Sequence, residues 1–205
     1  MKFCSECGAS IAASGRPSAT PPARYRCSGC GVTHFRNPRI VACCIAEWQG
    51  QVLLCRRAIE PSFGLWTLPG GYVEASEPIQ QAAAREALEE AVATVDELAL
   101  FRVYNLPKYN EVITVFRGTL RDGRCAVGEE TSEVALFPRR DLPWDTLAFE
   151  STRAALHDYA TRRWQPVHAS PVEDLTWLQP PPVATRRAPP PTRNATGRAA
   201  GRGAS

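Results

Sequence analysis

The sequence predicts an α/β fold preceded by a small metal-held module. Three observations carry this reading. Runs of strand-like apolar residues recur through the middle of the 205-residue chain, around a helical stretch at 78–92 and another near 150–163. Four cysteines in the first 30 residues form two Cys-x2-Cys pairs. After Trp164 the periodicity disappears. The chain therefore divides into residues 1–36, 37–165 and 166–205.

The first segment reads as Cys4-x2-Cys7-x19-Cys27-x2-Cys30, a spacing suited to a four-thiolate structural Zn²⁺ site. Gly8 and Gly31 each follow a pair, where positive φ turns backbone amides toward the sulfurs. A ribbon of about 35 residues is too small to fold on apolar burial alone, so the metal would hold it together. Cys43, Cys44, Cys55 and Cys125 stand in strand-like apolar surroundings and are expected in the core.

In the second segment, Arg39–Trp48 and Val52–Cys55 flank Gln49-Gly50 and read as a β-hairpin. Trp66–Val73 contains Pro69-Gly70-Gly71, a loop leading into the helix at 78–92. Further strands are expected at Leu98–Tyr104, Val112–Leu120 and Val134–Phe137. Residues 166–205 hold eight Pro and five Arg with few large apolar side chains, a composition that predicts disorder. Within them only the cluster Leu175–Leu178 has the character of a docking element.

Charge and hydropathy narrow the function. The net charge of +3 resides in the tail, where five Arg face Glu173 and Asp174, and the preceding body is neutral. A neutral body argues against a broad nucleic-acid-binding face. The N-terminus lacks the apolar core of a signal peptide, and the run Ile40–Ala46 is too short to span a bilayer. The expectation is a cytoplasmic protein with reduced thiols and no membrane partner.

The helical stretch concentrates the chemistry. At helical periodicity Glu86, Glu89 and Glu90 fall within an arc of about 100°. Ala84, Ala87, Leu88, Ala91 and Val95 are expected to form the opposite, packing stripe. Like charges at i,i+3 and i,i+4 destabilise a helix, and Arg85 is the only cation on it. Hard divalent cations such as Mg²⁺ or Mn²⁺ would relieve this repulsion. The competing reading, a solvated acidic face, is equally compatible with the charge pattern.

The run Gly71…Glu77…Arg85-Glu86-Ala87-Leu88-Glu89-Glu90 resembles the Nudix box, G-x5-E-x7-R-E-U-x-E-E-x-G-U with U aliphatic. The resemblance implies an α/β/α sandwich with a mixed sheet and a catalytic divalent cation, Mg²⁺ or Mn²⁺. By the same resemblance Glu86, Glu89 and Glu90 ligate metal, with Glu74 near the same ions. Arg85 orients a carboxylate, either Glu77 or Glu86, and a metal-activated water attacks phosphorus. One position departs from the pattern: Val92 replaces the final glycine. Val disfavours a left-handed cap, so the helix is expected to run on or leave by another path.

The likeness continues outside the box. The N-terminal ribbon, Asn37-Pro38-Arg39, VLLCRR, GLWTLPGGYVE and LAFES resemble the zinc-ribbon Nudix group that contains the plant FAD pyrophosphatase. That likeness implies a small dinucleotide substrate, FAD (to FMN and AMP) or ADP-ribose. NADH pyrophosphatases also pair a ribbon with the box, but their SQPWPFPxS signature is absent here. Candidate substrate contacts are Arg56 and Arg57 for phosphate, and Phe63, Trp66, Tyr104 and Tyr109 for rings, with core packing the competing role of each aromatic. Glu130 and Glu133, in a segment resembling the group's E-[ST]-x-E, are candidates for a further metal ligand or a base. The resemblance also implies a homodimer as the assembly to test. The alternatives are another nucleotide diphosphatase, or a nucleic-acid-binding ribbon with the Nudix fold as sensor.

Overall fold

The computed structural model describes residues 2–10 and 24–161. The link between the cysteine pairs lies outside them, as do the tail and its Leu175–Leu178 cluster. In the ribbon, β1 (Arg24–Arg26) and β2 (Thr33–Phe35) pair antiparallel, with Arg24 opposite Phe35. The linker is tied down where Asn110 Nδ2 donates to the Asn37 carbonyl at 2.9 Å.

The larger sheet begins with the anticipated hairpin, β3 (Arg39–Trp48) and β4 (Gln51–Arg57). Gln49 and Gly50 take φ of 47° and 78°, the positive pair that a two-residue turn needs to match strand twist. Only Glu47–Val52 and Trp48–Gln51 pair across it. Beyond them β3 pairs with β6 (Gly70–Tyr72), while β4 pairs with β5 (Trp66–Thr67). Helix α1 (Ile79–Ala91) follows, then β7 (Val95–Leu106), β8 (Glu111–Leu120), β9 (Thr131–Pro138) and α2 (Glu150–Thr161). The strand order is β5-β4-β3-β8-β7, with β9 added on β4. Because β3 and β8 run parallel while the other pairs are antiparallel, the sheet is mixed.

Strand alternation sorts the core into two layers. Cys44, Ala46, Leu53, Cys55 and Phe116 face α1. Ile45, Val52, Leu54, Ile113 and Val115 face α2. Each of the larger side chains contributes about 1.5–3 kcal/mol by leaving water. Helix α2 is fastened by polar contacts too: Tyr159 donates to Glu47 Oε2 at 3.0 Å, and Arg102 and Tyr104 both reach Asp158. Among the described residues no helix is long and apolar enough to cross a membrane.

The four non-ribbon cysteines behave as anticipated. Cys44 and Cys55 are buried, and Cys43 and Cys125 pack half-buried against the core. Burial pushes the Cys43 thiol up to about 12.

Two expectations about α1 are corrected. Of the expected stripe, Ala87, Ala91 and Val95 are buried and Ala84 is half-buried, but Leu88 is 53% exposed, and Ala82, Ala83 and Glu90 pack in its place. Glu90 is therefore turned inward, while Glu86 is half-buried and Glu89 stays exposed. Second, the helix ends at Ala91 even without the glycine: Val92 adopts φ 48°, ψ 34°, the left-handed cap. Val92 N–H donates to the Leu88 carbonyl at 2.9 Å and Ala93 N–H to that of Ala87 at 3.1 Å. Ala93 is fully buried, so the chain must turn inward here. For a β-branched residue this conformation costs about 1–2 kcal/mol.

Candidate active site

The site is assembled where β6 meets the last turns of α1. Gly70 N–H donates to Glu90 Oε2 at 3.1 Å. A Cβ on Gly71 would lie 2.6 Å from Glu86 Cδ, so only glycine lets this backbone lie against the carboxylate. Arg85 is the hub. It donates to Glu77 at 2.8 and 3.0 Å, to Glu86 Oε1 at 2.7 Å and to Glu89 Oε2 at 2.9 Å. Its Nη2 also reaches the Tyr72 carbonyl at 3.1 Å, binding helix to strand.

The acids pay differently for this placement. Burial raises Glu90 to about 7; the Gly70 amide and Arg57 oppose the rise, and the charges of Glu86 and Glu130 add to it. Glu86 is also raised, by burial first, against the hydrogen bond from Arg85. Glu77 moves down because Arg85 holds it. Glu90 lies in the last turn of α1, at the negative end of the helix dipole, which also disfavours its charge. This environment strongly favours a cation.

A strap from the loop before β9 closes the end of α1. The amides of Ala126, Gly128 and Glu129 donate to the carbonyls of Ala91, Glu90 and Glu89 at 2.8, 3.1 and 2.9 Å. These are carbonyls that a helix leaves without internal partners. A Cβ on Gly128 would collide with the Glu89 carbonyl. The strap delivers Glu130, at φ 59°, into the field of Glu86 and Glu90. Sequence reading flagged Glu130 but missed Gly128, because nothing local marks a close approach to a distant helix.

The remaining candidates are dispersed around this centre. Glu74 is exposed, and its backbone N–H donates to Glu77 Oε2 at 3.1 Å. Glu133 pairs with Arg56 at 3.1 Å across β4 and β9. Arg57 acts on Glu90 and braces the next loop through the Pro61 carbonyl at 2.7 Å. Trp66 packs edge-on against Phe137, with ring centroids 5.0 Å apart. Tyr104 is half-buried, its hydroxyl on Asp158. Phe63 and Tyr109 are open to solvent at 63% and 58%.

Residues 36–168 match the family model for the NUDIX domain. The chain belongs to the NUDIX family. A crystal structure of a NUDIX hydrolase from Nitrosomonas europaea is 43% identical, with a TM-score of 0.71, over 78% of this chain and 90% of that one. The ADP-ribose pyrophosphatase of Methanocaldococcus jannaschii is 29% identical over 135 residues, 64% of this chain and 77% of the relative. The NAD-capped RNA hydrolase NudC of Salmonella heidelberg is 29% identical over 144 residues, but the match spans only 53% of that protein. The chain is thus a NUDIX hydrolase, with the mixed-sheet fold of its family and the box carboxylates in the positions described.

This NUDIX chain carries a second cluster in its ribbon. The Sγ atoms of Cys4, Cys7, Cys27 and Cys30 all lie within 4.8 Å of one another. Cys4–Cys30 and Cys7–Cys27 stand at 3.7 and 3.6 Å. A tetrahedron with Zn–S bonds of about 2.3 Å has S···S edges of about 3.8 Å, so the four sulfurs fit zinc. The two knuckles repeat one turn: Gly8 N–H donates to Cys4 O at 3.0 Å, and Gly31 N–H to Cys27 O at 2.9 Å. His34 Nε2 lies 3.2 Å from Cys4 Sγ, an adjacent contact that spacing did not reveal.

Proposed function

We propose that this chain is a cytoplasmic diphosphatase that cleaves a small dinucleotide, FAD (to FMN and AMP) or ADP-ribose. In this reading Glu86, Glu89 and Glu90 hold Mg²⁺ or Mn²⁺, and Zn²⁺ holds the ribbon. The observation that carries it is the packing of buried Glu90 and half-buried Glu86 against Gly70 and Gly71 near the C-terminal end of a helix. Carboxylates so placed are poor anions alone and good ligands for a hard cation. When bound, the cation neutralises the diphosphate and acidifies a water for in-line attack.

The chain's own residues then have distinct tasks. Arg85 fixes the rotamers of Glu86 and Glu89, and the Gly70 amide holds Glu90 through one oxygen. Glu130, carried on the strap, is the favoured additional ligand or base; Glu74 and Glu133 are the alternatives. Arg57, already acting on Glu90, faces substrate phosphate, with Arg56 beside it. The exposure of Tyr109 and Phe63 supports them as ring contacts over Trp66 and Tyr104, which spend their rings on packing. The likeness to an ADP-ribose pyrophosphatase supports that substrate, and the likeness to an NAD-capped RNA hydrolase supports an NAD-like diphosphate, NADH included, as the second reading. A homodimer is carried over from the family, and light scattering on the eluting protein checks it.

The deciding experiment incubates purified chain and MgCl₂ or MnCl₂ with FAD, ADP-ribose and NADH, and identifies products by mass. Release of AMP from FAD or ADP-ribose is expected. If all three remain intact, the substrate assignment fails.

A further inference from the structure

The outer face of the ribbon has a composition that dinucleotide hydrolysis does not use. Side chains alternate across β1 and β2. Arg24 and Arg26, with their cross-strand partners Phe35 and Thr33, therefore share one face, and Tyr25 and His34 share the other. The second is the metal side, where buried His34 touches Cys4 Sγ. The first is open: Arg24 and Arg26 are exposed, and Phe35 is 64% exposed beside Arg24.

Charge on this small module is one-sided. The described residues through Arg36 include Lys2, Arg24, Arg26 and Arg36 against Glu6 alone. A filled four-thiolate zinc site has a net charge of about −2; Cys4 Sγ lies beside His34 on the opposite face, and Arg26 Nε donates to the Gly31 carbonyl of the second knuckle at 3.3 Å. A surface-exposed phenylalanine flanked by guanidinium groups offers two contacts at once. The cations take phosphates, and the ring takes a base.

We infer that the outer ribbon face, Arg24, Arg26 and Phe35, binds single-stranded nucleic acid. A single strand suits this face better than a duplex, because Phe35 needs an unstacked base to stack upon. Recognition would be independent of sequence and dependent on salt. This surface is confined to the ribbon, which distinguishes it from the broad basic face that the neutral body argues against.

Fluorescence anisotropy of the full chain with a labelled oligouridine of about 20 nucleotides tests the inference. Wild-type binding should weaken as salt rises. R24E/R26E should lose about tenfold or more in affinity and flatten the log–log salt slope by about 1.4, at about 0.7 per phosphate contact. F35A should weaken binding several-fold, whereas F35Y and R24K/R26K should retain it. Bound zinc per chain is measured for each variant, and F35A decides the matter should R24E/R26E lose metal. Absence of binding at low salt overturns the inference. So does unchanged affinity in R24E/R26E with metal retained, which would assign binding to the arginines beyond residue 165. Equal affinity for duplex and single strand also overturns it. Hydrolysis of free dinucleotides should be unchanged in these variants, so the inference and the proposed activity fail separately.

Discussion

The cysteine knuckles and the glutamate helix both gather side chains that ionise to anions, yet they differ in how closely the protein itself draws them together. In the ribbon, paired turns bring four sulfurs within 4.8 Å of one another. On α1, the carboxylates are spread among protein donors: Arg85 holds Glu77, Glu86 and Glu89, and the Gly70 amide holds Glu90. Among the described residues only the thiol group converges on a common centre. The difference teaches what each site is suited for. A closed set of soft ligands fixes a structural ion, whereas dispersed carboxylates leave positions for water and substrate.

The largest test of that contrast is Cys27→Ser, which should release the ribbon's zinc, a contribution of order 10 kcal/mol to a structural site. Metal analysis should show the loss while dinucleotide hydrolysis survives within about threefold, the outcome expected of two independent sites. Loss of both together would make the sites one unit. Conversely, Glu90→Gln should lower kcat roughly a thousandfold and leave bound zinc unchanged.

The buried acids predict a pH dependence. Glu90 is raised from 4.5 to about 7, so the folded state binds its proton more tightly than the unfolded state does. Metal-free stability should therefore be greatest below about pH 4.5 as far as this group is concerned, and fall as pH rises toward 7, by at most about 3 kcal/mol. Thermal denaturation at pH 5 and pH 8 with a chelator of divalent cations checks this. Glu90→Gln should flatten the slope, and Mg²⁺ should restore stability at pH 8. A metal-free melting temperature that climbs between those pH values would refute the assignment.

Smaller effects probe the strap and the helix cap beside it. Gly128→Ala should cost about 2 kcal/mol, because the new methyl meets the Glu89 carbonyl. Denaturant titration measures that, and metal affinity should fall with it if the strap positions Glu130. Val92→Gly should stabilise by about 1 kcal/mol, since it relieves a β-branched residue at φ 48°. A loss of stability there would mean that the Val92 side chain makes a compensating contact.

Much of the fold was legible because its signals are local. Gln49-Gly50 marked a turn that needs two positive φ values, and the structure forms it. The helix expected at 78–92 spans Ile79–Ala91, and the strand expected at Val112–Leu120 spans Glu111–Leu120. The face of α1 was misread because Leu88 is apolar and Glu90 is charged, so hydropathy pointed the wrong way. A charged side chain can face inward here because the Gly70 amide meets it, and Gly70 lies 20 residues away in sequence. Val92 was misread for a related reason: intrinsic preference opposes the cap, but burial of Ala93 enforces it.

By itself, the sequence determined which groups could do chemistry: four thiols in two knuckles, three glutamates one turn apart, and one arginine among them. Spacing suffices for that, because ligands on one turn or one helix are neighbours in any fold that forms the element. The tertiary structure decided which of those groups meet. It ran β3 parallel to β8, brought Gly70 and Gly71 against Glu90 and Glu86, and laid Gly128 on the helix end. It also committed Trp66 and Tyr104 to packing contacts and left Phe63 and Tyr109 exposed. These outcomes depend on contacts between residues far apart in the chain, where burial and close approach override local preference.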